Sequence, residues 1–140
     1  MRVLAIAAAL TLLVSAAHAA ATDVAAPAPD GATVIAASQD GGSIKATIGE
    51  VLAVELIGAP SAGASWSVAA QPDFLTGPER KTGPTTQAQM RPGFVGGQRW
   101  QVFVFTVNAA GSGALRLEQI SAANREGPPL ASFELTIETE

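Results

Sequence analysis

Four carboxylates stand where a loop-borne acid or base would be sought. Asp73 and Glu79 lie in a proline-rich stretch, and Glu118 and Glu126 flank a later irregular one. Two carboxylates can divide acid and base roles when their environments push their proton affinities apart. No spacing in this sequence forces either pair together, so they read as solvated surface charge. The single histidine, His18, lies in an N-terminal stretch expected to be removed, and there is no cysteine. Thiol nucleophiles, histidine-based triads and Cys- or His-ligated metal centres are thereby excluded from the mature chain. "GFVGG", residues 93–97, has the glycines of a phosphate loop but neither the lysine nor the helix that makes one specific. No enzyme, cofactor or metal site is expected, which leaves binding as the functional class.

The start of the chain bears on where that binding takes place. "MRVLAIAAALTLLVSAAHAA" opens with Arg2, runs apolar from Val3 to Ala17 apart from Thr11 and Ser15, and offers a small-x-small site at Ala17 to Ala19. This is the pattern of a secretory signal peptide over residues 1–19, with cleavage after Ala19 or, alternatively, Ala21. The mature chain is then expected in the periplasm or the medium. It has no second long apolar run, so no membrane insertion is expected after cleavage. Losing Arg2 leaves seven Lys and Arg against twelve Asp and Glu, a net charge near −5. Without a basic stripe, nucleic acid is not an expected partner. The chain is long enough to fold as one domain without a disulfide, as an expected monomer.

The elements that must hold any binding surface read as strands. Residues 20–31, "AATDVAAPAPDG", lack periodicity and are expected to form a flexible leader that hangs free. From residue 32 to 140 the chain is expected to form one sandwich domain. "TVIAA" (33–37) is a weak first strand. "SIKATIG" (43–49) alternates, with Ile44, Ala46 and Ile48 on one side. "EVLAVELIG" (50–58) follows through a tight connection at Gly49-Glu50. "WSVAA" (66–70) is short. The stretch 71–87, with three prolines, reads as a long connection, with "TTQAQM" (85–90) as a strand within or beyond it. "QRWQVFVFTVN" (98–108) is apolar on both sides, as a central strand must be. "AAGSG" (109–113) is a turn. "ALRLEQI" (114–120) and "LASFELTIETE" (130–140) alternate, with Leu115, Leu117, Phe133, Leu135 and Ile137 inward. About seven short strands without a helical period predict an all-β, immunoglobulin-like β-sandwich, here without the cysteines of antibody domains.

Three irregular segments interrupt these strands: residues 58–65, 91–97 and 121–129. In a Greek-key sandwich, loops distant in sequence can gather at one end and carry function, or they can merely connect strands. Small glycine-rich loops so gathered make a narrow wedge. The residues here resemble the chagasin family of cysteine protease inhibitors over most of the mature domain. The first loop of that family reads Asn-Pro-Thr-Thr-Gly-aromatic-x-Trp. "APSAGASW" (59–66) keeps Pro60, Gly63 and Trp66, has Ser61 for the first threonine, and departs at Ala59, Ala62 and Ala64. The second family loop carries Gly-x-Gly-Gly. "FVGG" keeps Gly96 and Gly97 and has Phe94 at the first glycine, with Gly93 before it. The third reads Arg-Pro-Trp, and Ser121, Ala122 and Ala123 stand there without a match, although Arg125 lies nearby.

The resemblance implies an immunoglobulin-like sandwich whose three loops plug the cleft of a papain-like cysteine protease. It places Pro60, Ser61, Ala62, Gly63 and Ala64 in the first loop, with Phe94, Gly96 and Gly97 beside them. Ser121, Ala122 and Ala123 fall at the third. Trp66 is expected to anchor the loop base in the core. Arg91 and Arg99 flank the second loop. The alternative is that the fold is retained as a binding or structural module toward another cell-envelope protein, without protease inhibition.

Overall fold

The computed structural model describes residues 22–140; the expected signal peptide, residues 1–19, and the first two residues of the expected leader lie outside them. Eight strands occur in this order: β1 Thr33–Ala36, β2 Ser43–Ala46, β3 Val51–Gly58, β4 Ala64–Ala70, β5 Leu75–Pro84, β6 Arg99–Val107, β7 Gly111–Ser121 and β8 Ala131–Thr139. They form two four-stranded sheets, ordered β1-β3-β6-β5 and β2-β8-β7-β4. β1 and β2 each pair in parallel, with β3 and β8, so both sheets are mixed. The only helical turns among the described residues are three short 3-10 segments. No described helix is long and apolar enough to cross a membrane.

The core follows the alternation in the sequence. Leu52, Val54, Leu56, Phe103 and Phe105 from the first sheet meet Leu115, Leu117, Phe133, Leu135 and Ile137 from the second. All ten are at most 2% exposed, and burying each such side chain contributes roughly 1.5–3 kcal/mol. The second sheet turns Arg116, Glu118 and Glu134 to solvent, where Arg116 pairs with both carboxylates at 3.7 and 3.1 Å. The first strand region crosses between sheets at the 3-10 turn Ala37–Gln39, so that β1 and β2 belong to opposite layers. The turn from β2 to β3 also crosses. Glu50 N–H donates to the Thr47 carbonyl at 3.0 Å, and Gly49 has a φ of 92°. β2 stops at Ala46, which leaves Ile48, expected on the same side as Ile44 and Ala46, 54% exposed.

The leader does not hang free over its described residues. Ala26, Ala28 and Ala32 pack on Ala53, Val102, Val104 and Trp100, the outer face of the first sheet. This answers why β6 is apolar on both sides: one side meets the second sheet, the other meets the leader. Glu55 lies on this outer side of β3, opposite Val102 in register. Partial burial raises its carboxyl above the usual carboxylate range, because desolvation disfavours the charged form. The folded state therefore binds the proton more tightly than the unfolded chain. This costs nothing at low pH, and the penalty grows as pH rises from the unfolded value through the folded one. Glu55→Gln is expected to match the wild type in urea denaturation near pH ~3 and to exceed it near pH ~7. Equal midpoints at the two pH values would remove Glu55 from the stability account.

Three further expectations are corrected. Leu75–Pro84, expected within a connection, is a ten-residue strand. It lies at a sheet edge, where a residue without an N–H is tolerated, and its register shifts between Thr76 and Glu79 around Gly77 and Pro78. Gly77 has φ of 107°, and an added Cβ there would sit 2.8 Å from the Val104 carbonyl oxygen. Residues 85–90, expected as a strand, instead turn through the 3-10 segment Gln87–Met90. The Gln89 side chain accepts from the Thr85 and Thr86 amides at 2.7 and 3.4 Å, replacing a ladder partner. The expected turn at 109–113 is shorter, because β7 already begins at Gly111.

Candidate functional site

β3 and β4 belong to different sheets, and the chain between them turns over the end of the sandwich. Ala59 and Ala64 exchange both backbone hydrogen bonds, at 2.8 and 3.0 Å, which pinches the loop into a four-residue tip. The tip is the 3-10 turn Pro60–Ala62 followed by Gly63, left-handed at φ 79°. Proline at the start of the turn fixes φ, and glycine at its end takes the positive φ that other residues resist. Pro60, Ser61 and Ala62 are exposed. Beneath them Trp66 is 8% exposed and joins the main core. Its indole N–H donates to the Ile57 carbonyl at 2.9 Å, and its backbone N–H donates to Gln101 Oε1 at 2.9 Å. Gly58 leaves room for that amide; an added Cβ there would collide with the Gln101 side chain.

The other two loops approach this tip at different residues. Ala122 N–H donates to the Gly63 carbonyl at 2.7 Å, joining the third loop to the first. The second loop comes close to the first at Gly96, where an added Cβ would sit 3.6 Å from Ser61 Oγ. The first loop is thus central. In the second, Gly93, Gly96 and Gly97 all have positive φ, between 80° and 90°. Gly97 leaves room for the Gln89 amide and the Phe94 ring.

The structure therefore brings the sequence-derived residues to one end, with different placements. Pro60, Ser61, Ala62 and Gly63 form the tip. Phe94, Gly96, Gly97, Ala122 and Ala123 are exposed beside it. Ala64 and Ser121 are paired strand residues at the loop base. Arg91 and Arg99 bracket the second loop, Arg99 opposite Gly58 in β3. Sequence reasoning missed three exposed apolar side chains here: Met90 at 61%, Val95 at 92% and, in the third loop, Leu130 at 58%. For Val95 the signal was present, since a large apolar residue inside a glycine-rich loop has no strand face to fill, whereas Met90 and Leu130 read as strand residues.

A groove of about 540 Å³ opens between the first and third loops and is lined by Pro60, Gly63, Ala122, Arg80 and Arg125 among others. The Arg80 guanidinium lies 5.2 Å from the Phe103 ring centroid. Among the described residues, neither Arg80 nor Arg125 is in an ion pair. The carboxylates Asp73, Glu79, Glu118 and Glu126 do not line this groove. No group of His, Cys, Asp or Glu among the described residues is placed to hold a metal. The end of the sandwich can present shape, backbone groups and apolar contact, without acid-base or nucleophilic chemistry.

The sequence profile described as chagasin family peptidase inhibitor I42 matches residues 45–137. The chain belongs to the chagasin family. Members of the chagasin family are inhibitors, not enzymes, in keeping with a site that has no reactive constellation. Solved structures share the chagasin fold at low identity. The cysteine protease inhibitor EhICP2 from Entamoeba histolytica aligns with a TM-score of 0.63 and 16% identity, covering 76% of this chain and 94% of that one. Amebosin aligns at 0.54 and 20%, covering 76% and 96%. PbICP-C, solved in complex with falcipain-2, aligns at 0.50 and 12%, covering 80% and 93%. No curated protein matches the sequence. Against the chagasin loop patterns, the residues that set backbone shape (Pro60, Gly63, Gly96 and Gly97) are kept, whereas the side chains that would reach outward are replaced by alanine or shifted in position.

Proposed function

We propose that this protein is an exported inhibitor of papain-like cysteine proteases that acts by occlusion. The tip Pro60–Ala62, with Gly63, enters the active-site cleft and lies where a substrate backbone would lie. The second and third loops brace it and rest on the cleft walls. The observation that carries this reading is the 2.7 Å bond from Ala122 N–H to the Gly63 carbonyl. Together with the close approach of Gly96 to Ser61 it makes three distant segments one edge. A wedge held in this way loses little conformational freedom on binding, which favours affinity from a small contact. Phe94, Val95 and Met90 supply apolar area beside the tip. PbICP-C, which shares the fold, is described in complex with falcipain-2, and that supports a papain-like partner. The signal-like residues 1–19 support export to the periplasm or beyond.

Titration of the mature domain against papain tests the inhibitory reading. Stoichiometric loss of peptidase activity is expected. Full activity in the presence of micromolar domain would end it and leave a cell-envelope binding module as the surviving reading. N-terminal sequencing of the exported product checks the rest: it is expected to begin at Ala20, and a product that still begins at Met1 would count against export.

A further inference from the structure

The second loop contains no strand pairing of its own between the 3-10 turn that ends at Met90 and the start of β6 at Arg99. What fixes its base comes from the other end of the chain. Asp23 N–H and Val24 N–H both donate to the Thr85 carbonyl, at 3.0 and 3.2 Å. Asp23 Oδ1 accepts from Gln87 N–H at 2.7 Å. The Trp100 indole N–H donates to the Val24 carbonyl at 2.8 Å, across 76 residues of sequence. Pro27 lies over Gly83, where an added Cβ would be 3.4 Å from its ring.

Thr85 passes this restraint on. It is 3% exposed, and its hydroxyl donates to the Gln98 carbonyl at 3.1 Å. Gln89 ties the same two points, accepting from Thr85 N–H at 2.7 Å and donating through Nε2 to the Gln98 carbonyl at 2.6 Å. The Gln89 amide in turn fills the space that a side chain at Gly97 would take, next to Phe94. A continuous set of contacts thus runs from Asp23 through Thr85 and Gln89 to Gly97, one residue from Gly96, where an added Cβ would come within 3.6 Å of Ser61. Burial of Thr85 makes its own bonds count for more than they would in water, because a broken one leaves its polar groups without solvent.

We infer that the N-terminal segment from Asp23 to Ala28 is a strap that sets the geometry of the second loop, with Asp23 and Thr85 as positioning residues of the binding edge. This rests on the proposed inhibitory reading for its functional consequence, but the structural coupling is independent of it. The apolar half of the strap (Ala26, Pro27 and Ala28) holds it to the sheet, and the polar half (Asp23 and Val24) reaches the loop.

The test compares Asp23→Ala and Asp23→Asn in the mature domain. Asn keeps an Oδ1 acceptor for Gln87 N–H, and Ala does not. In nitrogen-proton NMR spectra of the free domain, Asp23→Ala is expected to move the Gly96 and Gly97 amide signals and to speed exchange at Gln87, and Asp23→Asn to restore both. Papain inhibition is expected to weaken about tenfold in the Ala variant and to recover in the Asn variant, with melting temperature nearly unchanged. Unmoved Gly96 and Gly97 signals in Asp23→Ala would overturn the inference. Moved signals in a domain that does not inhibit papain would keep the strap and discard the inhibitory reading instead.

Discussion

Gly63→Val is expected to weaken papain inhibition by at least about 100-fold, equivalent to ~2.7 kcal/mol of binding free energy, while the sandwich stays folded. Two features combine at this position. Gly63 has φ of 79°, where a β-branched residue is strained by roughly 1–2 kcal/mol. Relaxing that strain turns the tip away from its present path. The new side chain would also begin 3.4 Å from Ala122 Cβ. Its branches must then push the third loop aside, weakening the 2.7 Å bond that joins the two loops. The edge loses its tip geometry and its brace together. Melting temperature should fall by only a few degrees, because no core side chain is touched. Gly63→Ala, with the strain but without the branches, is expected to fall between Val and wild type. Undiminished inhibition in the Val variant would show that the first loop is not the plug.

Trp66→Ala is expected to cost about 3–5 kcal/mol of stability, a large share of the ~5–15 kcal/mol that holds a domain of this size. Trp66 is 8% exposed and packs in the main core, so its removal leaves a cavity under the loop base. The Ile57 carbonyl loses its indole donor at the same time. Trp66→Phe separates the two effects. It keeps most of the apolar contact and removes the N–H, and is expected to cost about 1–2 kcal/mol. Urea denaturation followed by circular dichroism measures both, free of the change in fluorescence. A shift below about 1 kcal/mol for the alanine variant would mean that Trp66 is not the anchor of the loop. Because the cavity opens directly beneath the loop base, the alanine variant should inhibit less well even at temperatures where it remains folded.

Much of this molecule is legible without coordinates. Leu115, Leu117, Phe133, Leu135 and Ile137 fall on inward positions by simple alternation, and each is at most 1% exposed. A period of two, with charges in the gaps, has one low-energy arrangement once a face must be buried. The turn-formers Pro60 and Gly63 also declared themselves, because their backbone limits are properties of the residue and do not depend on its surroundings. The absence of cysteine, and of histidine beyond His18, narrowed the possible chemistry before any fold was considered.

Other features depended on partners far away in sequence. Leu75–Pro84 became a strand because an edge position has no need of the proline N–H groups, and no local pattern says which strand lies at an edge. Residues 22–31 looked free because their alanines and prolines have no period. They are held by Thr85, Trp100 and the outer face of β6, all more than 50 residues on. The apolar outer side of β6 was visible in the sequence, but what would cover it was not. Residue types and spacing determined the strands, the core face and the shape of one loop. Only tertiary structure decided that the second and third loops close on Gly63 and Ser61. Contacts of that kind are made by backbone groups and by the space glycines leave, and neither writes a side-chain pattern into the sequence.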